Sequence, residues 1–355
     1  MKKEVLVGKV LIGGEAPISI QSMTNTDTAN VEATSKQITE LAMAGCDLVR
    51  ISVYNQDCAK SVKQLVEKSS VPLVADIHFD ERLAIASIEN GIAKLRLNPG
   101  NIQGEEKVAK VADCAKCHHV PIRIGVNSGS VPKSILARDG GVTPQGLVDS
   151  AKKHVSILEK RGFDDIVLSI KASDVATMVA ANRLADKTFP YPLHLGVTEA
   201  GLPGQGTIKS AIGIGSLLLD GIGNTIRVSL TGSPLPEAEA ALSILRALNL
   251  RAGVQIISCP TCGRTQVDVS AIAKEVEEKT KHLKISMVVA IMGCVVNGPG
   301  EAQGADIAFC GGKDSGALYV GGKFVKKLTE NYTGEILVQI EQIMEERDGK
   351  TQTNI

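Results

Sequence analysis

The sequence contains no tryptophan, and aromatic residues make up only 3% of its 355 positions. It has no surplus of charge either, since 39 Lys and Arg balance 39 Asp and Glu. Together these shortages weigh against a nucleic-acid-binding protein: backbone tracking needs a basic surface, and base stacking needs rings. A balanced charge also gives no overall field to draw the chain to a membrane, so any polyanion must be met by locally gathered cations. No apolar run approaches the roughly 20 residues that span a bilayer. The start, Met1-Lys2-Lys3-Glu4-Val5, runs into a Val/Leu stretch broken by Gly8, Lys9, Gly13 and Gly14, unlike an export signal. The expectation is a cytoplasmic protein, in which eight cysteines stay available as thiols for metal rather than pairing off.

What is present describes a globular enzyme. Hydrophobic residues make up 43% and charged residues 22%, and the length suits one large and one small domain. From about residue 18 to 250, short β-rich runs alternate with amphipathic helical stretches. The expected strands are Ile18–Met23, Asp47–Val53, Pro72–Ile77, Lys94–Asn98, Ile122–Asn127, Asp165–Lys171, Leu193–Glu199 and Thr225–Leu230. Helical stretches such as Val31–Ala44, Glu81–Asn90, Glu105–His118, Gln145–Lys160 and Pro236–Leu248 lie between them. Eight βα units predict an α/β protein with a (β/α)8 TIM barrel over residues 1–250. A doubly wound open sheet is the rival, but no GxGxxG follows the first strand. The segment Val5–Glu15 could form a hairpin that plugs the barrel floor. Beyond Leu250, a strand at Gln255–Ser258, a helix over Ser270–His282, an apolar strand over Ile285–Ile291, Gly-rich hairpins over Ala305–Leu328 and a helix over Glu335–Glu346 predict a small α+β domain at 251–355.

Almost every expected barrel strand ends in polar residues, at the end where barrel enzymes hold their working groups. Strand two gives Arg50 and Ser52, strand three Asp76 and His78, strand four Arg96 and Asn98, and strand five Arg123 and Asn127. Strand six ends in Lys171 and Ser173, strand seven in Thr198 and Glu199, strand eight in Arg227 and Ser229. Buried parallel strands should be apolar, because a buried unpaired charge costs several kcal/mol. Cations converging there imply an anion among them, and guanidinium forks match phosphate oxygens. The functional reading is a site for a doubly phosphorylated small molecule. The bland reading pairs individual cations with acids elsewhere in the fold, although only Asp76 and Glu199 are strand-end acids. Glu199, in Gly196-Val-Thr-Glu199-Ala-Gly, is the candidate general acid/base.

The C-terminal part carries Cys259-Pro-Thr-Cys262, then Met-Gly-Cys294, then Asn297-Gly-Pro-Gly-Glu301. Three thiolates and one weaker oxygen ligand would suit an iron–sulfur cubane with an exchangeable corner, able to act as a Lewis acid as well as an electron carrier. A structural zinc site completed by Cys310 is the competing reading of the same spacing. It would leave the barrel as a non-redox phosphosugar lyase or isomerase. Cys114-Ala-Lys-Cys117-His118-His119 matches the c-type haem attachment pattern literally, but lies on an expected helix and reads as ordinary helix thiols and surface histidines. Cys46 and Cys58 read as ordinary helix or loop positions.

At this point the residues resemble a known family. Asp76-Ile-His78, Arg123-Ile-Gly-Val-Asn127, Leu168-Ser-Ile-Lys171, Gly196-Val-Thr-Glu199-Ala-Gly and Arg227-Val-Ser229 join Cys259-Pro-Thr-Cys262-Gly-Arg264 and Gly293-Cys294-Val-Val-Asn-Gly-Pro-Gly-Glu301-Ala. Over nearly the whole chain they are similar to the 4-hydroxy-3-methylbut-2-enyl diphosphate synthases of the methylerythritol phosphate route to isoprenoids, in their two-domain bacterial form. The resemblance implies a [4Fe–4S] cluster on Cys259, Cys262, Cys294 and Glu301. It implies reductive dehydration and ring opening of 2-C-methyl-D-erythritol 2,4-cyclodiphosphate, with electrons from flavodoxin or ferredoxin. By the same likeness Arg50, Arg96, Arg123, Asn127, Lys171 and Ser229 would hold the diphosphate. Asp76, His78, Asn98, Thr198 and Arg227 would complete the substrate site, Glu199 would manage the proton at the departing hydroxyl, and Glu301 would yield its place on iron to substrate.

The expected topology adds a geometric demand. The last barrel helix returns to the floor, and the short link that follows spans at most roughly 25 Å. A head-to-tail homodimer, in which each active site is shared between chains, would satisfy this and would require hinge motion.

Overall fold

Along the strands of the first half, one alternate set of residues is aliphatic and the other polar or small, as in Lys94-Leu95-Arg96-Leu97. Successive side chains of a strand face opposite ways, so the aliphatic set must be covered by helices while the other lines an interior. The computed structural model, which describes residues 1–97, 102, 104–296, 300 and 303–352, has this arrangement. Residues Met1–Leu248 form one compact unit and Asn249–Ile355 a second.

The first unit opens with a hairpin of β1 (Val5–Val7) and β2 (Val10–Ile12). Eight parallel strands follow: β3 (Ser19–Met23), β4 (Leu48–Ser52), β5 (Leu73–Ile77), β6 (Lys94–Leu97), β7 (Ile122–Asn127), β8 (Ile166–Lys171), β9 (His194–Leu195) and β10 (Thr225–Ile226). They lie in the order β8-β7-β6-β5-β4-β3-β10-β9, and a parallel bridge between Leu168 and Leu193 closes the ring. The connecting helices are α1 (Val31–Met43), α2 (Gln56–Lys68), α3 (Glu81–Glu89), α4 (Glu105–Cys117), α5 (Lys133–Asp139), α6 (Pro144–Glu159), α7 (Val175–Thr188), α8 (Gln205–Leu219) and α9 (Leu235–Ala247). Side chains of Asn30, Asn55, Asp80, Thr143 and Asp174 accept backbone N–H bonds at helix starts, which satisfies donors that a helix leaves open. This is the expected TIM barrel. Its outward strand residues, such as Ile51, Ile77, Leu95, Ile124 and Leu168, are buried in a single core under the helices. At the floor, Val5, Val7 and Ile12 of the hairpin pack with Leu48, Val74 and Val167.

Two strands are shorter than their sequence pattern suggests. The expected runs Leu193–Glu199 and Thr225–Leu230 keep ladder pairing only over β9 and β10. Beyond Leu195 the chain swings close to its neighbour: a Cβ on Gly196 would sit 2.5 Å from the Arg227 carbonyl oxygen. Glu199 then turns with a left-handed φ of 52°.

In the second unit, β11 (Val254–Ser258), β12 (Met287–Met292), β13 (Ile307–Gly311), β14 (Gly316–Val320) and β15 (Lys323–Leu328) form one sheet in chain order. The first three strands are parallel and the last two antiparallel. Helices α10 (Val269–Thr280) and α11 (Tyr332–Gln352) bring Val276, Ile336 and Ile340 against Val289, Ile291 and Phe309. Ala290, Met292, Ala308 and Cys310 form a separate buried cluster, against which Cys259 packs. Among the described residues no helix is long and apolar enough to cross a membrane.

Candidate functional site

Strand register gathers the polar residues of the barrel. Met23 stands beside Arg50, Ser52 beside Asp76, Asp76 beside Arg96, Arg96 beside Arg123, and Asn127 beside Lys171. Arg50, Asp76, Arg96, Arg123 and Lys171 are all buried. Asp76 ties the first three positions together. Its carboxylate accepts from Arg96 Nη1 at 3.0 Å and lies 3.7 Å from Arg50 Nε and 3.4 Å from His78 Nε2. Burial alone would raise its pKa, but the Arg50 charge, the His78 hydrogen bond and the Arg96 charge hold the carboxyl far below the usual range.

A second carboxylate, not anticipated from the sequence, sits behind the mouth. Glu237 in the first turn of α9 lies 3.3 Å from Arg227 Nη2 and accepts from Ser22 Oγ at 2.9 Å and from the Leu230 N–H at 3.0 Å. This corrects the expectation that Asp76 and Glu199 were the acids available to the strand-end cations. A buried acid at a helix start reads in sequence as a partner of the helix dipole, which hid it. Met23 is the other omission: its sulfur accepts from Arg50 Nε at 3.0 Å and Nη2 at 2.9 Å.

Arg123 and Lys171 remain without an ion pair among the described residues, and Arg123 Nε and Nη2 have no hydrogen-bond partner there. Burial and then the neighbouring cations push both groups well below their usual ranges: Arg50 and Arg96 act on Arg123, and Arg123 and Arg227 on Lys171. Arginine still keeps its proton, so the mouth holds mutually repelling charge that an anion would relieve. Two glycines shape it. A Cβ at Gly125 would meet Arg96 Nε at 2.9 Å, and one at Gly196 would meet Lys171 Nζ at 2.7 Å, so both cations lie across bare backbone.

Thr198, Asn127 and Ser229 are half-buried at strand ends, and Glu199 is exposed. The left-handed conformation of Glu199, in the turn after β9, costs a side-chain-bearing residue on the order of 1–3 kcal/mol. Asn98 and Glu301 lie outside the described residues.

In the second unit, Cys259 Sγ accepts the Gly293 N–H at 3.2 Å, and Thr265 Oγ1 accepts the Cys262 N–H at 3.0 Å. The Arg264 backbone N–H, helped by its side chain and by Thr265, lowers the Cys262 thiol toward the thiolate, the form that ligates metal. Cys262 is exposed, Cys259 and Cys294 are half-buried, and all three are free thiols. This donor chemistry fits thiolate ligation, although the described residues include no ready-made group of three or more metal-ligating side chains. Cys310 is fully buried, and burial, with Cys294 and Cys259 nearby, pushes its thiol up to about 11; it packs rather than presents itself. Of the haem-like run, Cys114 and Cys117 lie on α4 as expected, half-buried and exposed.

Fold and site together define a barrel enzyme for a small anionic substrate, joined to a thiol-bearing unit suited to a metal centre. The comparisons give the particular family. Residues 2–242 match the GcpE TIM-barrel domain and residues 255–344 the GcpE protein C-terminal domain. The chain is 54% identical over 339 residues to the "4-hydroxy-3-methylbut-2-en-1-yl diphosphate synthase (flavodoxin)" of Clostridium perfringens, covering 95% of this chain and 97% of that one. It is 48% identical over 357 residues to the protein of the same name from Desulfotalea psychrophila, covering 99% and 98%. The chain belongs to the GcpE family. Among solved structures, the spore coat polysaccharide biosynthesis protein spsE of Bacillus subtilis superposes with a TM-score of 0.51 at 10% identity, over 70% of this chain and 73% of that one. This supports the barrel fold alone.

Proposed function

We propose that this chain converts 2-C-methyl-D-erythritol 2,4-cyclodiphosphate into 4-hydroxy-3-methylbut-2-enyl diphosphate, as an oxidoreductase with flavodoxin as electron donor. The observation that carries this reading is the buried excess of cations at the barrel mouth, two of them without an acid partner among the described residues, in a chain about half identical to synthases of that product. Comparing substrate with product fixes the balance. Two electrons enter, the ring C–O bond at the methyl-bearing carbon breaks, and the neighbouring C–O bond to hydroxyl breaks as a C=C bond forms. One proton carries the hydroxide off as water, and the opened diphosphate keeps one more negative charge than the ring.

In this scheme Arg50, Arg96, Arg123, Lys171 and Arg227, with Asn127 and Ser229, hold the diphosphate by charge and directed hydrogen bonds. Asp76 fixes the forks of Arg50 and Arg96 and the ring of His78, while Thr198 borders the reacting carbons. Glu199 delivers the proton to the departing hydroxyl. Cys259, Cys262, Cys294 and Glu301 would hold a [4Fe–4S] cluster, which supplies the electrons and a Lewis-acidic iron. The test is anaerobic purification with iron and sulfide analysis, then turnover of the cyclic diphosphate with reduced flavodoxin. About four iron and four sulfide per chain with turnover is the expected result. Colourless, zinc-bearing protein that stays inactive after iron–sulfur reconstitution would overturn it.

The working form we propose is a head-to-tail homodimer. Helix α9 packs against β3 and α1, and residues 248–253 then lead directly to β11, a link of at most roughly 20 Å. Mixing chains that carry Glu199→Gln with chains that carry Cys262→Ser should restore activity that neither has alone. Failure to complement removes the shared site.

A further inference from the structure

The polar lining does not stop at the mouth. Two residues further in on the same faces, β6 carries Lys94 below Arg96, β9 carries His194 below Gly196, β8 carries Ser169 below Lys171, and β3 carries Gln21 below Met23. Each of the four is no more than 1% exposed. Lys94 Nζ, His194 Nε2, Ser169 Oγ and both amide atoms of Gln21 have no hydrogen-bond partner among the described residues. Beside this layer lies the apolar cluster of Leu48, Val74 and Val167 against the hairpin, and Lys94 stands in register with Val74.

Lys94 is the residue of this layer with a charge to lose. The charges that act on it are Arg123 on β7 and Arg50 on β4; Arg96 lies two residues on along its own strand, and His194 on β9 feels its charge. The carboxylates of the cluster are already engaged, Asp76 by Arg50, Arg96 and His78, and Glu237 by Arg227. Among the described residues no ion pair reaches Lys94. An ammonium there would be dry, unpaired and surrounded by like charge, and a buried amine in that position sheds its proton. Burial first, then Arg123 and Arg50, hold it well below the usual lysine range. The arginines cannot respond in this way.

We propose that Lys94 is a neutral amine in the empty barrel and takes up a proton when an anion fills the mouth, so that substrate binding is proton-coupled. This rests on the diphosphate reading of the mouth. An anion among Arg50, Arg123 and Lys171 cancels the repulsion that Lys94 feels and replaces it with attraction. The new ammonium then stands beneath the diphosphate as ring opening adds its further negative charge. Lys94 is thus a positioning residue, acting through Arg123 and the mouth cations.

The experiment is calorimetric titration of the oxidised holoprotein with the cyclic diphosphate, without reductant, in buffers of different ionisation enthalpy. Both acidic oxygens of that ligand are ionised at neutral pH, so any proton taken up goes to the protein. Lys171 is likewise buried and without an ion pair among the described residues, so wild type should take up about one proton for Lys94 and up to one more for Lys171, and its affinity should fall at least about tenfold for each unit of rising pH above neutrality. Lys94→Met should still bind, with the uptake lower by about one proton and the pH slope flattened. Binding by wild type with no uptake and no slope overturns the proposal, and that measurement needs no variant to fold. Full uptake retained in Lys94→Met also overturns it and moves the proton to Lys171. No binding of the cyclic diphosphate to wild type would instead refute the functional reading, and Lys94 coupling with it.

Discussion

Gly125→Ala isolates what the barrel mouth does to an anion. Gly125 faces the interior on β7, and the Arg96 guanidinium from β6 lies across it. A methyl group there would stand 2.9 Å from Arg96 Nε and 3.2 Å from Nη2, against an ordinary contact of 3.4 Å or more. All the atoms it meets belong to one side chain, so the backbone can stay in place and the guanidinium must give way by about half an ångström. Arg96 Nη1 now donates to Asp76 Oδ1 at 3.0 Å, and a retreat of that size brings the bond to the edge of hydrogen-bonding range. A hydrogen bond between charged groups contributes about 1.5–3 kcal/mol, and a phosphate that relies on the same fork loses a comparable amount. The expected result is a KM for the cyclic diphosphate raised roughly 10- to 100-fold, with unfolding free energy lowered by about 1.5–3 kcal/mol as the Arg96–Asp76 bond weakens. Gly215→Ala is the control. That site on α8 would place a Cβ with nothing within 4 Å, so it should leave KM alone and stabilise slightly, by about 0.4–1 kcal/mol. Steady-state turnover of anaerobically prepared protein and chemical denaturation read both quantities. A KM within twofold of wild type in a folded Gly125→Ala protein would refute the claim that Arg96 holds substrate.

Glu199→Gln keeps the shape of the strained turn and removes the proton. It should lower kcat by roughly 10²–10⁴-fold while calorimetric affinity for the cyclic diphosphate stays near wild type, and a matching loss of affinity would make Glu199 a binding group instead. Glu237→Ala strips Arg227, Ser22 Oγ and the Leu230 N–H of their acceptor together, and should cost roughly 3–5 kcal/mol in denaturant unfolding; a loss below about 1 kcal/mol would mean the carboxylate does not organise the mouth. His154 on α6 is buried with Nδ1 unpartnered, and burial, with a smaller push from Lys153, lowers it from 6.5 to about 4. Its folded value lies below its unfolded one, so the unfolded chain binds the extra proton. The neutral ring's contribution is therefore complete above about pH 6.5 and is lost as pH falls toward 4, an effect of up to about 3 kcal/mol. His154→Phe should flatten the unfolding curve in that window, and an unchanged curve would exclude His154 as the source.

The barrel was legible because its strands write two messages in alternate letters. In Lys94-Leu95-Arg96-Leu97 the leucines report the helix-covered outside and the cations the interior, and the same alternation runs through Leu168-Ser169-Ile170-Lys171. The site was legible at its rim for the same reason, since charge at a strand end is costly unless a ligand meets it. What escaped did not show as a polar residue at a strand end: Met23 ends β3, but a thioether there reads as core. Glu237 lies on a helix, where an acid in the first turn has a sufficient local explanation, and only the packing of α9 on β3, beside the turn after β10, makes it the partner of Arg227. Gly125 and Gly196 carry no side chain to notice, yet their positions on the inward set predict that something large crosses them. Counting back by two residues from Arg96, Lys171 and Gly196 leads to Lys94, Ser169 and His194, so the period of a strand is enough to find the inner layer. Of that layer Lys94 alone carries an ordinary charge, and proton uptake under the rim is the role proposed for it. That step from alternation to electrostatics links the inner layer of this barrel to the chemistry at its mouth.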